Sequence, residues 1–407
     1  MKIVIISDSA PPLSMGGVSS SHYMLHTFLL SHGFDSHIVT FCDAKNNSNA
    51  DPRILRSQKT PLITKVLKAV IKAFFLLSDR QKVACQTSLI LENIQGYYQA
   101  AKALRRLSPD LIFAPDYCAP LMFLKGKKGA KLVEIEHHNP SRFADTLLYQ
   151  RKTHTLDIKI SMWLQQRALK NVDSVICPSQ YMKGVFQKTH SFAGELRCIP
   201  NLVDTGVFKH LHSDSVAIRL GLPPSTPVVY IPSGSTLMKG ERYLLLLLQM
   251  IFSERKDICF FISGRLTDGF SAELDVSGLK NRVYSPGFKP YMENLALAKS
   301  CAVCVAPSIA ENYSMALIEA LALGMPVATF DVGGNSEIVS NGCGRVVQFL
   351  DFVALRDAAL HMLEYALSDP ECALATIVRA EQLEAEGKEK ILDFVRTVEA
   401  NHREASS

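Results

Sequence analysis

The chain has 407 residues, of which 47% are hydrophobic and 20% charged, and its formal net charge is +5. This length exceeds the size at which single hydrophobic cores stop growing, so the sequence predicts two globular domains. The small net charge, without a base-stacking motif, argues against a nucleic-acid-binding protein, and the absence of a run of eighteen apolar residues argues against a membrane-spanning helix.

The N-terminal residues 1–8 form an apolar stretch with an acidic end that is too short for a signal peptide. We therefore expect a cytoplasmic protein. Its ten cysteines fall mostly inside apolar segments, as expected for reduced core residues. Cys301 and Cys304 are better explained by their position along a strand than by metal binding, because no second cysteine pair or histidine cluster accompanies them.

Short apolar runs alternate with helical stretches twice along the chain, a pattern typical of parallel sheets built from βαβ units. In the first half the predicted strands are residues 2–7, 36–41, 111–115, 131–135, 174–177 and 196–199. In the second half they are residues 227–231, 258–263, 282–284, 302–306 and 326–330. The leucine-rich residues 243–252 are too few for a membrane anchor and predict a buried helix. The fold class is therefore α/β, with two Rossmann-like, doubly wound parallel-sheet domains.

Two glutamates follow the strand at residues 302–306. A helix is predicted to start near residues 312–314, which places Glu311 in the loop at its N-terminus and Glu319 about two turns into it. A helix N-terminus offers unpaired N–H groups and a positive dipole end that suit a phosphate. The two carboxylates could then accept hydrogen bonds from sugar and ribose hydroxyls. Taken alone, they are equally explained as a dipole-favoured first-turn glutamate and a solvated helix residue.

Residues 324–339 continue this segment with a helix stop, a buried strand, a Gly-Gly turn and another helix start. In this order, the two glutamates, the Gly-x-Pro-Val strand and the Gly-Gly-x-x-Glu turn resemble the donor-binding core of the retaining GT-B glycosyltransferases of family 4, also called glycosyl transferases group 1. The resemblance implies two Rossmann-like domains facing a central cleft. It implies an acceptor domain at 1–204, a nucleotide-sugar donor domain at 205–385 and a C-terminal helix at 386–407 that packs back on the first domain.

The resemblance also assigns roles to individual residues. It implies that Glu311 and His138 contact the transferred sugar, with His137 as the reserve for His138, and that Lys239 stabilises the leaving diphosphate. The arginine that accompanies this lysine in the family is missing, and Ser235 occupies its place. Arg265 could supply the second charge. The residues assigned to donor binding are Gly16, Gly17, Ser235, Arg265, Phe288, Ser314, Met315, Ala316 and Glu319.

One basic segment stands apart from these motifs. Residues 53–82 contain eight basic side chains and one acidic side chain, and Lys65, Lys68 and Lys72 share a predicted helical face. Such a face can bind an anionic membrane surface, or it can simply be solvated while the apolar side packs on its own domain. The sequence leaves both interpretations open.

The resemblance implies a retaining transfer of sugar from a nucleotide diphosphate sugar to an acceptor hydroxyl, in cell-surface polysaccharide or lipopolysaccharide synthesis. The expected partners are this donor, a glycan or lipid-linked acceptor and an anionic membrane surface. No metal cofactor is expected, because Lys239 and the helix N-terminus would stabilise the diphosphate. Two alternatives are a transferase that makes a small soluble glycoside or sugar phosphate, and a catalytically weak paralogue that serves as a binding subunit.

Overall fold

The computed structural model describes residues 1–11, 16–42, 51–57, 66, 69–70, 73, 86–126, 128–144, 155–232, 236–340 and 342–404. The chain divides into two compact units, one formed by Met1–Leu202 with Gly387–Ser407 and the other by Val203–Glu386. The first unit contains a seven-stranded sheet and the second a six-stranded sheet. The prediction of two parallel-sheet α/β domains is confirmed.

The sheet of the first unit has the strand order β3-β2-β1-β4-β5-β6-β7, and all its strand pairs are parallel. The strands are β1 (Lys2–Ser7), β2 (Asp35–Thr40), β3 (Ile54–Leu55), β4 (Leu111–Pro115), β5 (Lys131–Ile135), β6 (Ser174–Cys177) and β7 (Glu195–Cys198). Six of them lie within one residue of the predicted bounds. The two-residue β3 was not predicted, because two residues carry no periodic signal.

Helices cover both faces of this sheet. They are α1 (Gly17–Ser31), α2 (Gln86–Glu92), α3 (Ile94–Leu107), α4 (Thr155–Ala168) and α5 (Gln180–Thr189). Ile3 and Ile5 pack in a core on one face, whereas Val4 and Ile6 pack in a second core on the other. This burial on both faces explains why β1 is apolar throughout instead of alternating.

The sheet of the second unit has the order β10-β9-β8-β11-β12-β13, again with parallel pairs throughout. The strands are β8 (Val228–Ile231), β9 (Cys259–Ile262), β10 (Val283–Tyr284), β11 (Val303–Ala306), β12 (Val327–Phe330) and β13 (Gly344–Val347). The sequence missed β13, an edge strand whose half-exposed residues give no buried apolar run. Because the pairs are parallel, the loops that follow the strands meet at one edge of the sheet.

The helices of the second unit are α6 (Gly206–Lys209), α7 (Val216–Arg219), α8 (Glu241–Glu254), α9 (Asp268–Val276), α10 (Tyr291–Ala298), α11 (Met315–Ala322), α12 (Asn335–Ile338) and α13 (Phe352–Ser368). The leucine-rich run lies in α8, which buries Leu244, Leu247, Leu248 and Ile251 along one face and leaves Leu246 exposed. Among the described residues, no helix combines the length and apolar character needed to cross a bilayer.

The last helix, α14 (Glu371–Glu404), has 34 residues. Its residues up to Glu386 belong to the second unit and those from Gly387 onward to the first. In the first unit, Phe394 and Val395 are buried in the same core as Ile3 and Phe113. Each such buried side chain contributes roughly 1.5–3 kcal/mol to folding, so the C-terminal segment is an integral part of that core.

Candidate functional site

In the second unit, two loops of the candidate site are packed against each other through glycines. Gly240 has φ +83°, and a Cβ there would lie 2.1 Å from the carbonyl oxygen of Pro307. Gly333 has φ +63°, and a Cβ there would lie 2.2 Å from the carbonyl oxygen of Glu311. Only glycine fits at either position, because any side chain would collide with the neighbouring backbone. The loops after β8, β11 and β12 are therefore held at a fixed and very short separation.

Hydrogen bonds join the first two of these loops. The backbone N–H groups of Ile309 and Ala310 donate to the carbonyl oxygen of Met238, at 2.8 and 3.2 Å. The next residue, Lys239, extends its Nζ to within 2.5 Å of Oε1 of Glu311. Glu311 is 9% exposed and Lys239 is partly exposed. Two of the three predicted catalytic residues thus form a direct ion pair.

Glu319 lies close to this pair, although its position in the helix differs from the prediction. Helix α11 begins at Met315, so Glu319 is just over one turn into it and not about two. Its carboxylate accepts a hydrogen bond from the Tyr291 hydroxyl, with an O–O distance of 2.9 Å. Burial raises the pKa of Glu319 to about 7, against the opposing effects of the Tyr291 hydrogen bond and the positive charge of Lys239.

The start of α11 provides a further polar group at the same place. Ser314 is the N-cap residue and is buried, but its side chain makes no capping hydrogen bond. Met315 and Ala316 are partly exposed. The first N–H groups of a helix have no partner within the helix, so an uncapped start leaves them for an external acceptor. An anion beside Ser314 would also lie at the positive end of the helix dipole.

Arg265 and Phe288 follow β9 and β10 at the same edge of the sheet. An isolated antiparallel bridge between Gly264 and Gly287 joins their two loops. Arg265 is exposed and Phe288 is 82% exposed. Within the part of the chain that the structure describes, no hydrogen bond or ion pair links either residue to Lys239, Glu311 or Glu319. Ser235 lies outside the described residues.

The predicted residues of the first unit lie in the loops after β1 and β5. Gly16 is the N-cap of α1, Gly17 is its first residue, and both are exposed. Gly16 has φ −78°, and a Cβ at either glycine would meet no atom within 4 Å among the described residues. Internal packing therefore gives no reason for glycine at these two positions.

The loop that carries His138 is held by one buried carboxylate. The backbone N–H groups of His137, His138 and Asn139 donate to the Asp116 carboxylate at 2.8, 2.9 and 2.6 Å. Asn139 adopts the left-handed region, with φ +47°. The ring of His138 packs edge-on against Tyr117, with the ring centroids 5.2 Å apart. Nothing local in the sequence links Asp116 to this loop, since 22 positions separate it from His138.

Both histidines of this loop are held neutral. Burial lowers the pKa of His138 to about 3, with smaller contributions from Arg142 and His137. Burial alone lowers the pKa of His137 to about 4. The ring of His137 lies 5.3 Å from that of His22, which is also buried. A neutral imidazole at position 138 suits hydrogen bonding to a hydroxyl better than donation of a proton as an acid.

Beneath this loop lie two more buried carboxyl groups. Gln165 donates to Glu134 and Glu136 at 3.3 and 2.9 Å, and Asn139 donates to Glu136 at 2.8 Å. Burial, reinforced by the charge of Asp116, raises the pKa of Glu134 to about 8 and that of Glu136 well above its usual value. Burial also raises the pKa of Asp116 to about 6, although its backbone hydrogen bonds oppose the shift. At neutral pH the negative charge therefore resides on Asp116.

Glu134 should make the stability of the first unit depend on pH. Its pKa is higher in the folded state than the ordinary value of 4.5. The stabilisation is therefore complete below pH 4.5 and is lost as the pH rises through 8. Glu134→Gln should remove this component, up to about 1.4 kcal/mol per pH unit. The measurement is urea unfolding between pH 5 and 8, followed by fluorescence of Trp163, the single tryptophan, which lies in α4. The exposed Glu273→Gln is the control. An unchanged slope in Glu134→Gln would show that Glu134 is ionised in the folded protein.

Groups of three or more His, Cys, Asp or Glu side chains arranged to hold a metal ion do not occur among the described residues. The structure brings together Lys239, Glu311, Glu319 and the start of α11. It places Arg265 and Phe288 at the same edge without direct contact with them. Sequence reasoning missed Tyr291 and Asp116, which make their contacts across 28 and 22 positions of the chain.

Comparison with known proteins gives matches along most of the chain. Residues 219–380 match the family described as glycosyl transferases group 1, and residues 15–207 match the family described as glycosyltransferase family 4. A curated D-inositol 3-phosphate glycosyltransferase of Segniliparus rotundus is 25% identical over 142 residues, which are 33% of this chain and 32% of that protein.

Two solved structures resemble the whole chain. Sucrose-phosphate synthase of Thermosynechococcus elongatus has a TM-score of 0.76 at 18% identity and covers 98% of this chain and 99% of its own. HepE of Anabaena, solved in complex with UDP, has a TM-score of 0.65 at 18% identity and covers 98% of this chain and 100% of its own. At these identities the likeness shows the fold, and the family matches add the lineage. The chain belongs to the glycosyltransferases of family 4, which have the GT-B fold.

Proposed function

We propose that this protein transfers a sugar from a nucleotide diphosphate sugar to an acceptor hydroxyl with retention of the anomeric configuration. The observation that carries the proposal is the cluster of Lys239, Glu311 and Glu319 beside the uncapped start of α11. One cation, a free helix N-terminus and two carboxylates match the polar groups of such a donor. The Anabaena relative solved in complex with UDP supports a nucleotide-containing donor.

Each group has a defined task in this proposal. Glu319 accepts hydrogen bonds from the ribose hydroxyls. Lys239 and the N–H groups at Ser314 to Ala316 bind the diphosphate, and Glu311 contacts the hydroxyls of the transferred sugar. His138, held neutral, keeps the role of sugar contact inferred from its motif. Arg265 adds positive charge at the same edge of the sheet, and backbone groups near Phe288 take the base.

The transfer step needs no separate enzymic base. The acceptor oxygen attacks the anomeric carbon from the side of the leaving group, while the bond from that carbon to the diphosphate oxygen breaks. The acceptor proton passes to the departing diphosphate. Lys239 and the start of α11 stabilise the negative charge that develops on the diphosphate, which is electrostatic stabilisation by preorganised groups. We propose that this stabilisation replaces a metal ion.

The acceptor is proposed to belong to cell-surface polysaccharide or lipopolysaccharide synthesis at the inner face of the cell membrane. This part rests on the basic segment with Lys65, Lys68 and Lys72, which could bind an anionic membrane surface. These lysines lie outside the described residues. Their role therefore remains a prediction from sequence.

The proposed activity can be tested without knowing the acceptor. The purified protein is incubated with a panel of nucleotide sugars in EDTA, and release of nucleoside diphosphate is followed. We expect slow hydrolysis of one donor, and NMR should show that the sugar first released keeps the donor's anomeric configuration. An inverted product would contradict the retaining mechanism. Binding of a nucleotide sugar without turnover would favour a binding subunit.

A further inference from the structure

The first unit has a second polar cavity that none of the candidate site residues line. It lies beside the carboxyl ends of β2 and β3, against α3, and has a volume of about 190 Å³. Its described lining residues are Val39, Thr40, Leu55, Arg56, Ser57, Gln99, Ala100, Lys102, Ala103 and Arg106. Strand β2 is three strands away from β5, which precedes His138. At about 4.8 Å per strand, the separation is roughly 14 Å.

Three cations line this cavity. Lys102 and Arg106 lie one turn apart on α3, on the same face as Gln99, and both are exposed. Among the described residues, no carboxylate forms an ion pair with either of them. Arg56 faces them from the strand side of the cavity. Like charges repel one another, so a group of cations without a paired anion is more stable when an anion binds between them.

The strand side of the cavity is rigidly built. The Arg56 guanidinium donates to the carbonyl oxygens of Ala10 and Pro11, which fixes its position. The Ser57 backbone N–H donates to the Thr40 hydroxyl at 3.2 Å. Ser57 is 3% exposed, and its own hydroxyl has no hydrogen-bond partner among the described residues. A buried hydroxyl without a partner is costly, so a ligand that bonds to it would gain affinity.

We propose that this cavity binds the phosphate group of a phosphomonoester. Such a group carries close to two negative charges at neutral pH and has three strong acceptor oxygens. Arg106 can donate two parallel hydrogen bonds to it, Lys102 supplies a compact positive charge, and the Ser57 hydroxyl supplies a donor from below. The cavity lies at the same edge of the sheet as the loops of Gly16 and His138. We assign it the role of anchoring a phosphorylated acceptor, which rests on the proposed function.

The test compares binding of a hexose 6-phosphate with binding of the unphosphorylated hexose by titration calorimetry. The test variant is the double substitution Lys102→Gln and Arg106→Gln. The matched control is Arg105→Gln, which removes a neighbouring exposed charge of α3 that does not line the cavity. We expect the hexose phosphate alone to bind to the wild-type protein. The double variant should lose about tenfold or more in affinity, the scale for loss of a charge-assisted hydrogen bond, while the control keeps it.

A second arm identifies the source of the phosphate. Sedimentation with vesicles of phosphatidylcholine, with and without phosphatidic acid, presents the same monoester on a lipid. Binding to phosphatidic acid that the double variant loses and the control keeps supports the site with a lipid ligand. Equal binding by wild type, double variant and control in both arms overturns the proposal, because the anion then binds elsewhere, for example at Lys239. Absence of binding in both arms also overturns it. Neither arm requires turnover, so failure of the proposed transfer would leave the phosphate result interpretable.

Discussion

Lys239→Ala is expected to lower kcat by roughly 10²-fold or more, the scale for loss of one preorganised electrostatic stabiliser. The Lys239 ammonium lies in a short turn that is hydrogen-bonded to the loop of Glu311, so it is positioned before the donor binds. Its charge acts most strongly as the diphosphate departs, and the loss should therefore appear in turnover more than in donor affinity. Steady-state release of nucleoside diphosphate measures both quantities.

The control for this substitution is Lys280→Ala. Lys280 is an exposed lysine paired with Asp275 at 3.0 Å, and exposed pairs of this kind contribute little. Activity of the wild-type protein should also persist in EDTA. A strict requirement for Mg²⁺ or Mn²⁺ would contradict the assignment of Lys239 as the main electrophile, as would Lys239→Ala with unchanged kcat.

Glu319→Ala should weaken binding of the nucleoside diphosphate by about 1.5–3 kcal/mol, the range for hydrogen bonds to a charged group. The substitution removes the carboxylate that would accept the ribose hydroxyls, and it also leaves the Tyr291 hydroxyl without its acceptor. Calorimetric titration of nucleoside diphosphates measures the effect. Unchanged affinity in a folded variant would remove Glu319 from the nucleotide site.

Glu311→Gln provides the matched comparison. Glu311 is assigned to the transferred sugar, so this variant should bind nucleoside diphosphate almost normally and lose turnover. The two glutamates would then be separated by function, although they lie eight positions apart. If Glu311→Gln retained full turnover, Glu311 would only pair with Lys239 and cap the helix start.

The strands of both sheets follow from the apolar runs of the sequence because each strand is buried on both faces. The exceptions are β3, with two residues, and β13, whose residues are half-exposed. Lys239, Glu311 and Glu319 were predicted because they belong to ordered local motifs. Tyr291 and Asp116 were not, because their contacts depend on how distant loops meet at a sheet edge. The register of α11 was off by two to three residues, since the loop after β11 stays irregular up to Ser314.

The two glycines at the candidate donor site restrict how this protein can evolve. Gly240 and Gly333 each press on a carbonyl oxygen of a neighbouring loop, so every coding substitution at either position adds an atom where there is no space. A change of donor preference by stepwise substitution therefore cannot begin by widening these loops. It has to proceed through side chains that surround the fixed backbone, such as Met238, Arg265 or Tyr291. The chemistry at Lys239 and Glu311 would then persist while the specificity around it diverges.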